Sequence, residues 1–460
     1  MYARVTKSKL ATLTAFVGRR LLAVGLLALC FAAAARAAPS ATATDPLQPQ
    51  EWWLADIGAD RATPPGPGVP ITIVDSGVDP THPEFAGRPN TTFFNDQTVL
   101  GREEYHGTIV ASVAAAPANG AGIVGVYPTA ALQVWDASSD PRGISNSSAI
   151  DGILAAASHC PGVINLSFGS ATPDPSLQDA ILTAVRNGCL VVAAAGNNGD
   201  AGNPPTYPAS WPHVFTVAAT DETDHVASFS TISQSVDLAA PGVDIVGAVP
   251  LSRDPTGYTS TLVAGTSFSS PIAVAAAAWV WTMRPALSAA QIAELLRKSA
   301  RDIMSPGFDP ASGWGILDIP AALAAPTPAR DPSEPNDNIA QVKPGVLFQT
   351  GQAPLTTPAK PAIRTAGSVD VEEDPRDLYR IWVPANKVVR VAVSAGGRAA
   401  ARIWGPQTVS VNEGIAARRR DLRGTSAKGG KKGFSAYVEV LLTGRAASAD
   451  YVLNLTAAKR

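Results

Sequence analysis

Ile71-Thr72-Ile73-Val74-Asp75-Ser76-Gly77 runs apolar and β-branched residues without a break into a carboxylate and a glycine. Such a run, with no polar alternation, fits a strand covered on both faces, as in a parallel sheet. It puts Asp75 at the strand's carboxyl end. Outward from it the same texture recurs at Leu132 to Trp135, Val163 to Leu166, Leu190 to Ala194 and Val214 to Ala218, with helix-length segments between. The pattern predicts an α/β domain: a doubly wound parallel sheet with helices on both faces. In such sheets ligands bind just past the carboxyl ends of the strands, so the residues following these runs are the ones to inspect.

The chain has 460 residues, 46% hydrophobic and 16% charged, enough apolar material for a large core and a second, smaller domain. A formal net charge of -2 gives no whole-chain reason to expect nucleic acid as a partner. Basic Arg4, Lys7, Lys9, Arg19 and Arg20, the apolar run Leu21 to Ala35 and the small residues around Ala37 read as a secretory signal peptide over residues 1–38. Arg19-Arg20 hints at twin-arginine export. The run is shorter than the roughly 20 residues of a membrane span, so no transmembrane anchor is expected. Bulky Leu29 before Cys30 argues against a lipid anchor. The expected location is outside the cytoplasm, extracellular or periplasmic. There Cys160 and Cys189 could form a disulfide, with two buried thiols as the alternative.

Each chemistry-bearing residue has a plain reading and a sharper one. Asp75 alone could be structural, and His106-Gly107-Thr108 places one of five histidines at the start of a small-residue helix pattern. Gly265-Thr266-Ser267-Phe268-Ser269-Ser270-Pro271 leads into the apolar stretch Ile272 to Trp281, a buried helix with Pro271 in its first turn. Ser267 could be a simple cap. At a helix N-terminus its hydroxyl is also held rigidly and its amide faces developing negative charge. Asn197 follows the apolar run Leu190 to Ala195 and Gly196; it suits a turn, or a side-chain donor to an oxyanion.

Together these residues resemble the subtilisin-like serine proteases. Asp75-Ser76-Gly77, His106-Gly107-Thr108, Ile164-Asn165-Leu166-Ser167-Phe168-Gly169, Ala195-Gly196-Asn197 and Gly265-Thr266-Ser267 stand in that family's order. The resemblance covers roughly Asp45 to Ala322. It implies a serine endopeptidase acting on proteins or peptides, with Asp75, His106 and Ser267 as the triad and Asn197 in the oxyanion hole. It further implies that Ser167, Phe168 and Gly169 line the substrate groove, with Thr206 a candidate pocket residue. Ser269 stands where a nucleophile elbow needs Gly, which disfavours a rival hydrolase fold. No cofactor is needed for this chemistry. A structural calcium ion is a candidate at the loop Pro117 to Ile123, with Glu84 and Asn119 as oxygen donors. Ser112 departs from the glycine often found six residues after the catalytic histidine. About 37 residues precede Asp75 after signal cleavage, too few for an inhibitory pro-domain, so unassisted folding, or assistance from elsewhere, is expected.

Past residue 325 the texture turns to Pro, Asp and Asn, expected as a linker over 326–345 after a peptidase domain at 39–325. Period-two patterns around Leu378 to Val383, Val388 to Val393, Tyr437 to Leu442 and Tyr451 to Leu455 predict a small C-terminal β-sandwich over 346–460. Glu334-Pro335-Asn336-Asp337, Asp374-Pro375-Arg376-Asp377-Leu378-Tyr379 and Tyr451-Val452-Leu453 resemble the bacterial pre-peptidase C-terminal domain, implying an accessory module without catalytic residues. From Lys387 onward there are 14 Lys and Arg against 4 Asp and Glu, including Arg418-Arg419-Arg420. A cell-surface polyanion is one candidate partner, and a solvated basic loop the plainer reading. Two rival functions stay open: a catalytically silent surface-binding protein on a protease fold, and an esterase using the same triad.

Overall fold

A computed structural model describes residues 44–97, 105–140, 143–259, 262–331, 333–371, 374–411 and 424–459. The expected signal peptide and Arg418-Arg419-Arg420 lie outside the described residues. In chain order the first part runs α1 (Trp52–Asp56), β1 (Ile71–Asp75), β2 (Thr91–Phe93), α2 (His106–Ala115), β3 (Leu132–Asp136), the short pair β4 (Ser138–Asp140) and β5 (Gly143–Ile144), α3 (Asn146–Ala157), β6 (Val163–Leu166), α4 (Pro175–Arg186), β7 (Leu190–Ala194), β8 (Val214–Thr220), β9 (Val236–Pro241), α5 (Thr266–Met283), α6 (Ala289–Ser299) and α7 (Ile319–Ala324). Seven of these strands form one sheet in the order β2-β3-β1-β6-β7-β8-β9, each neighbouring pair parallel.

The unbroken apolar runs follow from burial on both faces. Leu190 and Val192 of β7 pack on the α2 and α5 side, while Val191 and Ala193 pack on the α3 and α4 side. Residues alternate between two cores rather than between core and water. Helix α5 is buried along nearly its whole length, from Phe268 through Trp281. Its alanines let it lie close on the sheet, and each larger side chain, such as Ile272 or Trp279, contributes on the order of 1.5–3 kcal/mol by leaving water. The sequence reading missed β9, whose Asp237 interrupts the apolar pattern; that carboxylate pairs with Arg297 of α6 at 3.5 Å.

The chain leaves β1 toward β2 and β3 on one side, then crosses to β6 on the other. This reversal opens a crevice at the carboxyl ends of β1 and β6.

The C-terminal part is the expected β-sandwich. β10 (Ile363–Asp370), β12 (Lys387–Ser394), β14 (Ser426–Lys428) and β16 (Ser448–Lys459) form one antiparallel sheet; β11 (Arg376–Val383), β13 (Ala399–Trp404) and β15 (Phe434–Leu442) form the other. Tyr379, Ile381 and Val383 face Val389, Val391 and Leu453 between the sheets. The segment expected as a linker is partly packed. It contains α8 (Ile339–Val342), with a capping box from Asn338 and Gln341, whose Ile339 and Val342 cover Leu378, Trp404 and Tyr437 on the outer face of the smaller sheet. That outer face, solvated in a free-standing sandwich, is therefore partly covered, with Leu378, Trp404 and Tyr437 packed beside buried Glu439.

Cys160 and Cys189, each just before a parallel strand, are joined with their Cα atoms 5.1 Å apart. Near them Arg186 donates to the Gly351 carbonyl at 2.6 Å and stacks on Phe348, and His213 meets Asp337 at 2.6 Å. These contacts seat the C-terminal part against α4 and the amino end of β8.

Candidate active site

Asp75 is the last residue of β1 and His106 the first of α2. Two glycines bring them together. Gly77 has φ +84, and a Cβ at Gly107 would stand 2.3 Å from the Gly77 carbonyl, so strand exit and helix start can touch only without side chains there. Asp75 Oδ1 accepts hydrogen bonds from the Ser76 amide at 2.7 Å and from His106 Nδ1 at 2.8 Å. With Nδ1 donating, Nε2 keeps a lone pair for a proton. Burial pulls the imidazole's pKa down, but the Asp75 charge and hydrogen bond outweigh it and leave the pKa raised. Phe268 lies 5.8 Å from the imidazole, ring centre to ring centre.

Ser267 is the second residue of α5, which begins earlier than the sequence reading placed it. Pro271 therefore sits in the second turn rather than the first. Having no N–H, it leaves the Ser267 carbonyl, four residues back, without its helical donor. Ser167 Oγ fills that role at 2.8 Å, and Ser267 Oγ donates to the Ser167 carbonyl at 3.1 Å. The hydroxyl of Ser267 thus bonds to the groove segment rather than to His106. Behind Ser167, buried Asn165 donates to Ser167 Oγ at 2.9 Å and accepts from Ser270 Oγ at 2.8 Å.

Asn197 is anchored by its oxygen. Its Oδ1 accepts from the Thr266 amide at 3.0 Å and the Thr266 hydroxyl at 2.9 Å. That fixes which end of the side chain is turned to the helix start and leaves the Nδ2 donors beside Gly265. A cleft of about 560 Å³ passes Asp75, His106, Ser167, Phe168 and Gly169 and runs on to Tyr207 and Trp211. Thr206 is buried between two glycines: a Cβ at Gly169 would stand 2.5 Å from its Cγ2, and one at Gly196 2.6 Å from its Oγ1.

A model of the Subtilase family matches residues 66–315, which is 250 of the 460 residues. The chain belongs to the subtilase family. Its relatives include Subtilisin from Bacillus pumilus, 33% identical over 260 residues that make up 56% of this chain and 91% of that one. Subtilisin NAT from Bacillus subtilis subsp. natto is also 33% identical over 260 residues, but the match spans only 66% of its length. The crystal structure of a psychrophilic subtilisin-like protease from Pseudoalteromonas sp. AS-11 shares the fold, with a TM-score of 0.52 over 59% of this chain and 97% of that one at 21% identity. Membership makes this subtilase a serine endopeptidase in kind.

The Glu84 loop is closed by donors. Glu84 Oε1 accepts from the Tyr258 hydroxyl at 2.8 Å and the Ile123 amide at 3.2 Å, and Oε2 from the Asn119 side-chain nitrogen at 3.4 Å. Asn119 Oδ1, the oxygen expected to face a cation, takes the Ala121 amide at 2.8 Å. Burial, the larger effect, raises the Glu84 pKa to about 7, against the hydrogen bonds from Tyr258 and Ile123 that lower it. In this arrangement the side-chain oxygens offered by Glu84 and Asn119 are taken up by donors of the chain itself.

The departure at Ser112 is absorbed by α2. Its hydroxyl donates to the Ile109 carbonyl at 2.7 Å and accepts from the Ala248 amide at 2.9 Å. Asn165, Ser270 and Thr266 are site residues to which sequence reasoning gave no role. The signal for Asn165 was present: a carboxamide in the middle of the apolar strand Val163–Leu166 needs buried partners.

Proposed function

We propose that this subtilase is a secreted endopeptidase that cleaves proteins or peptides through an acyl-enzyme on Ser267. The observation that carries the reading is the 2.8 Å pair of Asp75 and His106 at the crevice that also holds Ser167, the hydrogen-bond partner of Ser267. An extended substrate would pair along Ser167 to Gly169 as an added strand. As it enters, the Ser267 hydroxyl leaves the Ser167 carbonyl and passes its proton to His106 Nε2 while Oγ attacks the scissile carbonyl carbon. The carbonyl oxygen becomes an oxyanion, met by Asn197 Nδ2 and the Ser267 amide at the start of α5. The imidazolium, stabilised by Asp75, then protonates the leaving amine as the C–N bond breaks. Water repeats the sequence: His106 takes its proton, the hydroxide oxygen attacks the ester, and Ser267 regains its hydrogen. Each role is filled by a side chain or amide of the chain itself.

Hydrolysis of casein by the purified chain, beside Ser267→Ala and beside chain treated with a serine-directed covalent inhibitor, tests this. Activity lost in both is expected. Activity surviving Ser267→Ala sinks the assignment of the nucleophile, and no activity in folded parent chain favours the surface-binding alternative.

A further inference from the structure

Away from the active-site crevice, α1, the segment Val124 to Pro128 and the far part of α5 border another cavity, of about 410 Å³. Trp279 lies twelve residues beyond Ser267, about 18 Å along α5. The wall is apolar and aromatic: Trp52 and Leu54 come from α1, Val124 and Val126 from the segment, and Trp279 from α5. Its parts are tied to the fold. Tyr127 lies 6.1 Å from Trp279, ring centre to ring centre, and its hydroxyl donates to the Gly66 carbonyl at 2.6 Å. The Val126 amide donates to the Val113 carbonyl of α2 at 3.0 Å. A concave, mostly apolar, preformed space with a few polar groups is what small-molecule sites have in common.

One charged side chain is built into this wall. Glu51 lines the cavity and is only 4% exposed. It stands at the N-cap of α1, where an acid ordinarily accepts from its own helix, yet its side chain makes no such bond. Both of its oxygens share a single donor instead, the Val124 amide, at 3.2 and 3.1 Å. Burial pushes its pKa up to about 9 against that hydrogen bond, and the nearby acids Asp45 and Glu84 add to the rise. No cation acts on it. A carboxylate offers about four lone-pair sites, so one amide leaves most of them unused in a place where unmet polar groups are costly. The other charged residue at the cavity is again an acid: Asp60, exposed and 4.0 Å from Arg61.

We propose that this cavity binds a small organic ammonium ion with an apolar body, its charge against Glu51 and its body against Trp52, Leu54 and Trp279. The wall selects the class. Its charged groups are of one sign, so an anion would meet only acids. A neutral apolar molecule would cover the carbon surface but leave Glu51 with its single donor. A hard metal ion needs about six oxygens, and here one carboxylate stands among hydrocarbon and indole. An ammonium ion meets both needs, because indole is the aromatic ring that attracts a cation most strongly and the carboxylate supplies the opposite charge.

The test uses the full chain with Ser267→Ala, so that self-digestion does not intervene and the result is independent of the peptidase reading. Phenethylammonium chloride, phenethyl alcohol and phenylpropionate, alike in shape and differing in charge, are titrated in turn by calorimetry and by tryptophan emission. The ammonium ion should bind roughly 10-fold tighter than the alcohol, and the carboxylate should bind least. Glu51→Gln keeps an oxygen for the Val124 amide. It should bring the ammonium ion down to the affinity of the alcohol and leave the alcohol unchanged. Trp52→Leu should weaken both by about 5-fold, and it carries the test should Glu51→Gln not fold. Equal affinity for ammonium ion and alcohol in the parent, tighter binding of the carboxylate, an ammonium preference that survives Glu51→Gln, or binding undiminished in Trp52→Leu overturns the proposal.

Discussion

Two histidines of this chain each face a carboxylate at hydrogen-bond distance, and they do opposite things. His106 meets Asp75 at 2.8 Å, one base to one acid, in an open cleft with the imidazole about one-third exposed. His213 meets Asp337 at 2.6 Å with its side chain 8% exposed, and behind Asp337 stand Asp331, Glu334, Asp374 and Asp377. The first pair is balanced, so a proton can move on and off its imidazole without upsetting the fold. The second is outnumbered by acids, so its imidazole cannot neutralise what it touches. A histidine beside a carboxylate is therefore not a signature of catalysis. The local charge count and the space left for a reacting group decide.

The comparison breaks most visibly on replacing each imidazole. His106→Ala should cut turnover of a peptide substrate by about 10⁶-fold, a magnitude that comes from subtilisin's own triad. His213→Ala is read on the other axis, as a lower Tm with turnover near the parent's, because Asp337 and Glu334 lose the imidazole they face. If His213→Ala also removed turnover in folded chain, the two sites would not be separate. One step smaller, Asn197→Ala should lower kcat on the order of 100-fold to 1,000-fold with KM little changed, because its donors act on charge that exists only in the transition state. A rise in KM with kcat intact would instead make Asn197 a substrate anchor.

The residues of the proposed catalytic side were easy to single out in sequence because each follows an apolar strand or opens an apolar helix. Ile71 to Val74 announces Asp75, and Leu190 to Ala194 announces Asn197. The surroundings of His213 were legible only as texture. Glu334-Pro335-Asn336-Asp337 reads as a linker because charged and turn residues normally face water, and nothing local says that Asn336 is fully buried. Burial there comes from long-range packing: the Leu378 amide donates a hydrogen bond to the Asn336 carbonyl at 2.8 Å, and α8 covers the sheet beyond. The start of α5 was misplaced for a similar reason, since Pro271 suits a first turn unless Ser167 supplies the donor that the second turn lacks.

The smallest effect tests the balance at the first histidine. His106 must be neutral to take the Ser267 proton, and Asp75 raises its pKa above the ordinary 6.5. The ascending limb of kcat/KM against pH should therefore have its midpoint above 6.5. Stability follows the same sign: the raised folded value favours the protonated imidazole, so its contribution is complete below the unfolded pKa and is lost as pH rises through the folded one. In Asp75→Asn the charge is gone and burial acts alone, which pulls the imidazole down. The residual activity of that variant should rise with pH from a lower midpoint than the parent's. Equal midpoints would mean that the limb reports some other group, and the one-to-one balance that separates His106 from His213 would lose its kinetic support.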